Sequence, residues 1–473
     1  MNILLLAYEG DTPSGYNYMI GVANALRKRG NHVTFLSDNQ YYTKSSLADL
    51  SDYEVLYFDD VKDKIDMTDQ EYPEDLSSVV TFINYHRLEC WHATKSIKNY
   101  TSHVENNLVE KLYIYLNSLI TERKIDCILF ETVSSVMSYV AYYACRNKGI
   151  AYVGWIISRI PGRYDLLNDP FGDIAYLKKK FKETSMDAID EDELAFITGY
   201  LDKIADVKPG YMKNNPMDMH IDYRRQYLQK LGKAIKLLPI IIGAHTNNAY
   251  YVRYPLEFKT TMFKYNMNRQ RKIKKLKKCY DKIEDGERYF LFPMHFQPEA
   301  STGVNAPYYC DQAAVIKSIA FSLPLGVKLY VKDHPNGIGF LPMSTYEEIL
   351  SLPNVKYINP ESYTKELISK SIGVVTITST MGYEALLMRK PVLTFGNVFY
   401  NYHPYCRKIN GYDELPEALR SMISNDYKDF DQINIRFTKT YIDHSFAGNL
   451  MSTSEDDLLS LADNIVRAAN REK

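Results

Sequence analysis

Residues 373–396 read GVVTITSTMGYEALLMRKPVLTFG, and this stretch decides the fold. An apolar, β-branched run at 373–378 precedes a helical pattern at 382–387, and a second apolar run follows at 391–395. Two parallel strands cannot be joined by a tight turn and need a crossover, which is usually a helix. The stretch therefore predicts two parallel strands with a helix between them.

The same alternation of strands and helices extends through both halves of the chain. In the second half we predict further strands at 289–292, 328–332 and 355–358 and helices at 311–323, 345–352 and 364–369. In the first half we predict strands at 2–7, 32–36, 54–58, 125–130 and 151–157 and helices at 16–29 and 133–147. Alternation of this kind is typical of parallel sheets covered by helices. From about residue 414 onward we expect helices and no further strand.

The length of 473 residues exceeds what one hydrophobic core supports, so we expect more than one domain. The predicted fold class is α/β, with two Rossmann-like domains that face a cleft and a helical C-terminal segment. We place a first domain with a helical insertion at 1–250, a basic connecting segment at 251–287, a second domain at 288–430 and the helical segment at 431–473. In such folds, ligands bind at the carboxyl ends of the strands.

Composition and charge exclude several classes of protein. The 57 Lys and Arg residues are balanced by 58 Asp and Glu residues, so the chain has no overall attraction to nucleic acid. The spacing of its six cysteines does not match that of zinc ligands. A membrane-spanning helix needs about 20 consecutive apolar residues, and the sequence contains no such run. We expect a cytoplasmic protein with no bound metal and no nucleic-acid partner.

One strongly basic run, RQRKIKKLKK from Arg269 to Lys278, contains seven basic residues in ten. We expect it to form an exposed helix near the connection between the domains. Its charges indicate either a solvated helix face or a peripheral contact with anionic lipid at the inner membrane face. The sequence favours the solvated helix face, with the lipid contact as the alternative.

Two predicted strand ends in the second half form a candidate phosphate site. Lys332, His334 and Pro335 end one strand, and Ser379 and Thr380 lie between another strand and its helix. Hydroxyl and backbone N–H groups at a helix N-terminus bind anions, and the other strand end adds a cation and a donor. Either hydroxyl alone would indicate only a helix cap. Their occurrence at two strand ends, which we expect to be adjacent, favours a nucleotide phosphate site.

The helix after this turn adds two candidate residues to the donor site. Gly382 lies near its start, and Glu384 follows within its first turn. The Glu384 carboxylate can accept hydrogen bonds from the two hydroxyls of a ribose. The alternative is that Glu384 only closes a capping box at the helix N-terminus.

Further polar residues follow other predicted strands. His295, Gln297 and Glu299 come after the first strand of the second half and are candidate contacts for the acceptor or the donor. Arg159 and Arg163 follow a strand of the first half, and arginine binds carboxylate or phosphate with two parallel hydrogen bonds. Surface salt bridges are an equally good interpretation of these two arginines.

Two carboxylates compete for the role of a catalytic base. Glu131 ends a predicted strand before a helix, and Glu9 follows the first strand of the chain. A base must lie within hydrogen-bond reach of the hydroxyl that it deprotonates. Glu131 is also well placed to stabilise a helix N-terminus, and Glu9 with Asp11 is suited to a tight loop, so both assignments stay open.

Four motifs follow one another in the second half: FPMHFQPEAST at 292–302, YVKDHP at 330–335, STMGYEAL at 379–386 and KPVLTFG at 390–396. In this order they resemble the bacterial capsule polysaccharide biosynthesis family. The resemblance implies a GT-B-like fold and a role in building or handling surface polysaccharide. Many members of this family are glycosyltransferases.

A more distant similarity links the chain to bacterial transferases that use CMP-activated acidic sugars such as sialic acid or Kdo. The pairs His334-Pro335 and Ser379-Thr380 match the motifs that surround the CMP phosphate in those enzymes. Their acidic motif, which supplies the catalytic carboxylate, has its nearest counterpart here in Glu9-Gly10-Asp11. That tripeptide departs from the usual acidic-acidic-Gly order.

The leading hypothesis is a metal-independent GT-B glycosyltransferase that needs no cofactor. Its partners would be a nucleotide-sugar donor and a glycan or lipid-linked glycan acceptor, and His334 would act in catalysis as well as in donor binding. A sugar-nucleotide epimerase has the same fold and would form product without an acceptor. A polysaccharide-binding or export component would bind glycan without affinity for nucleotides.

Overall fold

The computed structural model describes residues 1–7, 13–37, 49–68, 70–79, 107–206, 267–297 and 299–471. These residues fall into two compact units. The first unit contains the described residues up to Pro170 and from Ser445 onward, and the second contains those from Phe171 to His444.

The elements of the first half begin with a βαβ unit and end with two helices of the second unit. In chain order they are β1 (Asn2–Leu6), α1 (Pro13–Lys28), β2 (His32–Ser37), β3 (Val55–Tyr57), α2 (Leu108–Glu122), β4 (Cys127–Glu131), α3 (Val136–Lys148), β5 (Ala151–Ile157), β6 (Arg163–Leu167), α4 (Ile174–Glu183) and α5 (Glu191–Asp202).

The second half begins with residues 267–276, here called the basic helix. After it come β7 (Tyr289–Pro293), α6 (Ala300–Gly303), α7 (Gln312–Ser322), β8 (Lys328–Lys332), α8 (Met343–Leu350), β9 (Val355–Ile358), α9 (Thr364–Lys370), β10 (Gly373–Thr376), α10 (Thr380–Leu387), β11 (Val392–Thr394), β12 (Cys406–Lys408), α11 (Leu415–Ser424), α12 (Phe430–His444), β13 (Phe446–Ala447) and α13 (Glu455–Ala469).

The first unit is built on a sheet with the strand order β13-β6-β5-β4-β1-β2-β3. Its pairs are parallel except at β5–β6 and β6–β13. The strand β1 lies between β4 and β2, and its residues Ile3, Leu4, Leu5 and Leu6 are all buried, as an apolar run in a parallel sheet requires. The side chains of Ile3 and Leu5 pack into a core to which α1 and α13 also contribute.

The second unit is built on an all-parallel sheet with the order β12-β11-β10-β7-β8-β9. The central strand β7 pairs with β10 on one side and with β8 on the other. The two strand ends that we expected to be adjacent are therefore separated by one strand, β7. Because all these strands are parallel, the ends of β10, β7 and β8 lie at the same edge of the sheet, and β7 ends directly before Met294 and His295.

Three strands of the structure have no counterpart among the predicted ones. These strands are β6, β12 and β13. The expectation of no strand after residue 414 is wrong, because β13 forms at 446–447. Strands of two or three residues are too short to show alternation, and β13 exists only through its pairing with Tyr164 and Arg163 of β6.

The predicted α/β class, with two largely parallel sheets and a helical C-terminal segment, is confirmed. Each unit has a largely parallel sheet with helical connections, and the C-terminal segment is helical apart from β13. Within that segment α12 belongs to the second unit and α13 to the first. The domain limits 1–250, 251–287, 288–430 and 431–473 stay a prediction, and the two compact units divide the described residues differently.

Gly373 allows β10 and β11 to approach closely. A Cβ at this position would lie 2.6 Å from the Pro391 carbonyl oxygen and 2.8 Å from the Met422 Cε. We expect Gly373→Ala to destabilise the second unit by about 1–3 kcal/mol, the usual cost of overpacking, measured as a lower midpoint of urea unfolding.

Gly199, in α5 of the same unit, provides the matched control. A Cβ there would meet nothing within 4 Å. Alanine in a helix is favoured over glycine by about 0.5–1 kcal/mol, so Gly199→Ala should leave the midpoint unchanged or raise it. Equal effects of the two substitutions would contradict the close packing of β10 on β11.

Candidate functional site

His295, at the end of β7, is hydrogen-bonded to the turn that follows β10. The Thr378 N–H lies 3.1 Å from the His295 Nε2, and the Thr378 hydroxyl lies 3.2 Å from the same atom. The Thr378 hydroxyl also donates to the Ser301 carbonyl at 2.6 Å. Since Nε2 accepts the Thr378 N–H, the proton of a neutral imidazole is on Nδ1. That Nδ1 is buried and has no hydrogen-bond partner among the described residues.

Burial fixes the protonation state of His295. The residue is 8% exposed, and burial, together with the neighbouring His334, lowers the pKa of His295 to about 3. His295 is therefore a neutral imidazole near pH 7, with a single N–H on its Nδ1.

The other two candidates after β7 have different surroundings. The Gln297 amide donates to the Cys310 carbonyl at 2.9 Å and accepts from Gln312 Nε2 at 2.8 Å. Gln312 also accepts the His295 N–H at 2.6 Å, so the buried amides of Gln297 and Gln312 hold the His295 backbone in place. Glu299 is exposed and accepts from the Ser301 hydroxyl at 3.0 Å.

His334, just beyond β8, has the opposite tautomer. The Asn336 N–H donates to the His334 Nδ1 at 3.1 Å across Pro335. The proton of the neutral ring is consequently on Nε2. Burial and then the charge of Lys332 lower the pKa of His334 to about 4, so near pH 7 it offers an uncharged N–H donor rather than a cation.

Lys332 and Asp333 are both directed into the protein. The Lys332 ammonium donates to the Pro360 carbonyl at 2.7 Å, and the residue is only 2% exposed. Burial lowers the pKa of Lys332 to about 8. Asp333 accepts from Tyr357 at 2.7 Å and from Tyr346 at 3.2 Å, and burial raises the pKa of Asp333 to about 6.

The turn between β10 and α10 presents Ser379 and Thr380. The Ser379 hydroxyl caps the helix by accepting the Met381 N–H at 3.2 Å. Thr380 is the first residue of α10 and is half-buried, and its hydroxyl makes no hydrogen bond to any other described residue. Gly382 leaves space for Tyr400, because a Cβ there would lie 2.5 Å from the Tyr400 hydroxyl, which itself donates to the Ser379 carbonyl at 2.5 Å.

Glu384, in α10, is paired with a lysine of α9. The Lys365 Nζ lies 3.0 Å from the Glu384 Oε2, and both side chains are largely buried. A direct bond from Glu384 to ribose stays a prediction, and this ion pair fixes the position of its carboxylate. The capping-box alternative has no support in the described residues, since the cap of α10 is the Ser379 hydroxyl alone.

Glu131, at the end of β4 in the first unit, is partly exposed. The Ser134 hydroxyl donates to the Glu131 Oε1 at 2.6 Å, and the Tyr152 hydroxyl donates to its carbonyl at 3.0 Å. The helix α3 that follows is capped by Ser135, so Glu131 is not its cap. Glu9 and Asp11 lie outside the described residues.

The two arginines of the first unit differ in their contacts. Arg163, at the start of β6, donates from Nε to the Ser445 hydroxyl at 2.6 Å and from Nη2 to the Ser445 carbonyl at 2.8 Å. These bonds hold the residue that precedes β13. Arg159 is half-buried in the turn between β5 and β6.

Several residues around the site were not found from the sequence. Arg269 is buried although we expected an exposed helix, and Tyr346, Tyr357, Lys365 and Thr378 were not singled out. For Arg269 a signal existed, since positions 269, 273 and 276 recur at helical spacing and include the apolar Ile273 and Leu276. No local sequence pattern marks Tyr346 and Tyr357, because they contact Asp333 only through the packing of α8 and β9.

Part of the chain matches a known family. Residues 213–408 match the model of the family described as "Capsule polysaccharide biosynthesis protein". This match confirms the resemblance that the four ordered motifs indicated.

Matches to individual proteins are short or distant. Protein FixF from Sinorhizobium fredii is 45% identical over 67 residues, which is 14% of this chain and 16% of FixF. The β-Kdo 2,7 transferase KpsC from Thermosulfurimonas dismutans is 13% identical, with 68% of this chain and 88% of that chain covered and a TM-score of 0.35. UDP-GlcNAc 2-epimerase from Methanocaldococcus jannaschii, in complex with UDP-GlcNAc and UDP, is 10% identical, with 93% and 99% covered and a TM-score of 0.31.

The described ranges contain neither a membrane-spanning helix nor a cluster of metal ligands. No described helix is both long and apolar enough to cross a membrane. Nor do three or more His, Cys, Asp or Glu residues of the described parts come together in a group that could hold a metal ion. Independence of metal ions stays a prediction.

Buried histidines make the second unit sensitive to acid. Burial lowers the pKa of His403 to about 4, as it lowers those of His295 and His334. A histidine whose pKa is lowered by folding contributes stability that is present above pH 6.5 and is lost as the pH falls towards the folded pKa. The raised pKa of Asp333 has the opposite effect on stability. Between pH 6 and about 4 it offsets the contribution of one of the three histidines.

We therefore expect the urea midpoint, followed by circular dichroism, to fall between pH 6.5 and pH 4. His295→Gln keeps an acceptor for the Thr378 N–H and does not titrate. With this variant, the free energy of unfolding should depend less steeply on pH. The slope should fall by up to about 1.4 kcal/mol per pH unit, which corresponds to one proton taken up on unfolding. A slope identical to that of the wild type would show that His295 is not buried as a neutral ring.

Proposed function

We propose that this protein is a cytoplasmic glycosyltransferase of surface polysaccharide synthesis. It transfers a sugar from a nucleotide-activated donor, in our proposal a CMP-linked acidic sugar, to a glycan or lipid-linked glycan. The observation that carries the proposal is the meeting of three strand ends, those of β10, β7 and β8, at one edge of the second sheet. The match to the capsule family over 213–408 supports the same function.

The arrangement at this edge suits a departing phosphate. The N-terminus of α10, with the uncommitted Thr380 hydroxyl, would bind the phosphate oxygens. His334 would donate its Nε2–H as negative charge develops on the leaving group. Donors that are fixed before the reaction stabilise such charge without reorganisation. Lys332 would contribute only through its charge, because its ammonium is bonded to Pro360.

Glu131 would act as the base that deprotonates the acceptor hydroxyl. Its Oε1 accepts from the Ser134 hydroxyl, which orients the carboxylate. Glu9 is the alternative base. His295, Gln297 and Glu299 would shape the donor site, with Gln297 acting through the backbone of His295 rather than through a free amide.

Donor binding provides the first test. In a thermal-shift panel of CMP, CDP, UDP and GDP sugars, at least one conjugate should stabilise the wild type, by about 2.7 kcal/mol at a concentration 100 times its Kd. The double variant His334→Ala with Thr380→Ala should lose this shift and the transfer activity while it keeps its circular dichroism spectrum. Thr380→Ser, which retains the hydroxyl, serves as the matched control and should keep both.

The same panel separates the alternatives. Product from a nucleotide sugar alone, without an acceptor, would indicate an epimerase. Glycan binding with no shift by any nucleotide would indicate a binding or export component. Either result, or full turnover by the double variant, would refute the proposal.

The role of Glu131 is tested by Glu131→Gln. The amide cannot accept a proton, so kcat should fall by about 10²- to 10⁴-fold while nucleotide affinity is retained. Ser134→Ala removes only the hydrogen bond to the carboxylate and should cause a smaller decrease. A normal kcat for Glu131→Gln would assign the base elsewhere, with Glu9 as the next candidate.

A further inference from the structure

One face of the basic helix is built into the second unit. Arg269 is buried, and its Nε donates to the Ile338 carbonyl at 2.8 Å while its Nη2 donates to the Asn336 carbonyl at 2.9 Å. The guanidinium carbon lies 4.2 Å from the centre of the Phe340 ring. Lys272, one turn further along the helix, donates to the Leu341 carbonyl at 2.7 Å. The helix therefore contacts four residues of one loop.

That loop, residues 334–341, begins with His334 and is here called the His334 loop. At its start the Gly337 N–H donates to the His334 carbonyl at 2.7 Å. At Gly339, where φ is +74°, a Cβ would lie 3.1 Å from the Arg269 carbonyl oxygen. A side chain at this position would thus be strained and would push the loop away from the basic helix.

The His334 loop is also held by a tyrosine. The Gly339 N–H donates to the Tyr346 hydroxyl at 2.9 Å, and that hydroxyl donates to Asp333 at 3.2 Å. Tyr346 thereby joins the residue before the loop to its middle. Together with the bonds from Arg269 and Lys272, this bond holds the backbone of the loop at Asn336, Ile338, Gly339 and Leu341.

Arginine suits this role better than lysine does. Its planar fork bonds two carbonyls at once and stacks on an aromatic ring, whereas a lysine ammonium cannot do both. The two carbonyls belong to Asn336 and Ile338, and Asn336 is the residue whose N–H fixes the His334 tautomer. The contacts of Arg269 and the orientation of His334 are therefore linked through a single residue.

We propose that Arg269 is a positioning residue for the donor site: by bonding the carbonyls of Asn336 and Ile338, it fixes the His334 loop so that the His334 Nε2–H is directed at the bound phosphate. This inference rests on the proposed function. It assigns part of the basic run to the nucleotide site, whereas Arg271, Lys274, Lys275, Lys277 and Lys278 are exposed.

Arg269→Lys tests the inference because it keeps the positive charge and removes the planar guanidinium that donates to both carbonyls. We expect faster hydrogen exchange in residues 334–341 and an affinity for the stabilising nucleotide sugar that is lower by about 10- to 100-fold. The ¹⁵N signals of the His334 ring should also change. A role in stability alone would lower the unfolding midpoint and leave those signals unchanged in the folded protein. Lys274→Ala, on the exposed face of the same helix, is the control and should alter none of these quantities.

Lys272→Met is a second variant, for use if Arg269→Lys does not fold. It removes one bond to the His334 loop and should change exchange and affinity in the same direction by smaller amounts. Faster exchange without loss of affinity would overturn the positioning role of Arg269 and leave the proposed function standing. Unchanged hydrogen exchange together with unchanged His334 signals would do the same. Absence of nucleotide binding by the wild type would refute the proposed function and this role with it.

Discussion

The hydrogen bond from the Thr378 N–H to His295 joins the end of the central strand β7 to the turn that carries Ser379 and Thr380. This bond makes the site depend on β7, a strand that carries none of the phosphate-binding residues predicted from the sequence. The buried amides of Gln297 and Gln312 hold the backbone of His295 in turn. A side chain that the sequence indicated as a ligand contact is thus first a structural link between two strand ends.

At this edge of the sheet, the charged side chains and the neutral hydrogen-bonding side chains have different surroundings. Lys332 and Asp333 are ionisable groups that point inward to backbone and tyrosine partners. His295 and His334 are neutral rings whose tautomers are set by backbone N–H groups. Neutral donors of fixed direction bind an anionic oxygen with a smaller desolvation cost than a buried cation. This smaller cost favours His over Lys at the start of the His334 loop.

The sequence was sufficient for the fold class and for most strands, because parallel strands are apolar runs bounded by polar turns. Strands 328–332 and 355–358 were predicted with the bounds that the structure has. The sheet order could not be read from the sequence, and it is this order that puts β7 between the two candidate strand ends. Short edge strands such as β13 depend on pairing with distant residues, which no local pattern reveals.

The candidate site was predicted in part. The residue types at 332–335 and 379–384 indicated an anion site, since hydroxyls at a helix N-terminus and a His after a strand are local features. The direction of each side chain was not predictable, as Lys332 and Glu384 show by their bonds to Pro360 and Lys365. Arg269 was hidden in a run of like charges, where only the helical spacing of Ile273 and Leu276 distinguished the buried face.

The central claim is that one edge of the second sheet binds the phosphate of a nucleotide. Its most direct test is a crystal structure with the nucleotide that stabilises the protein most strongly. We expect phosphate oxygens within about 3.2 Å of the His334 Nε2 and of the Thr380 hydroxyl or N–H. A nucleotide whose phosphate lies away from both residues would contradict it.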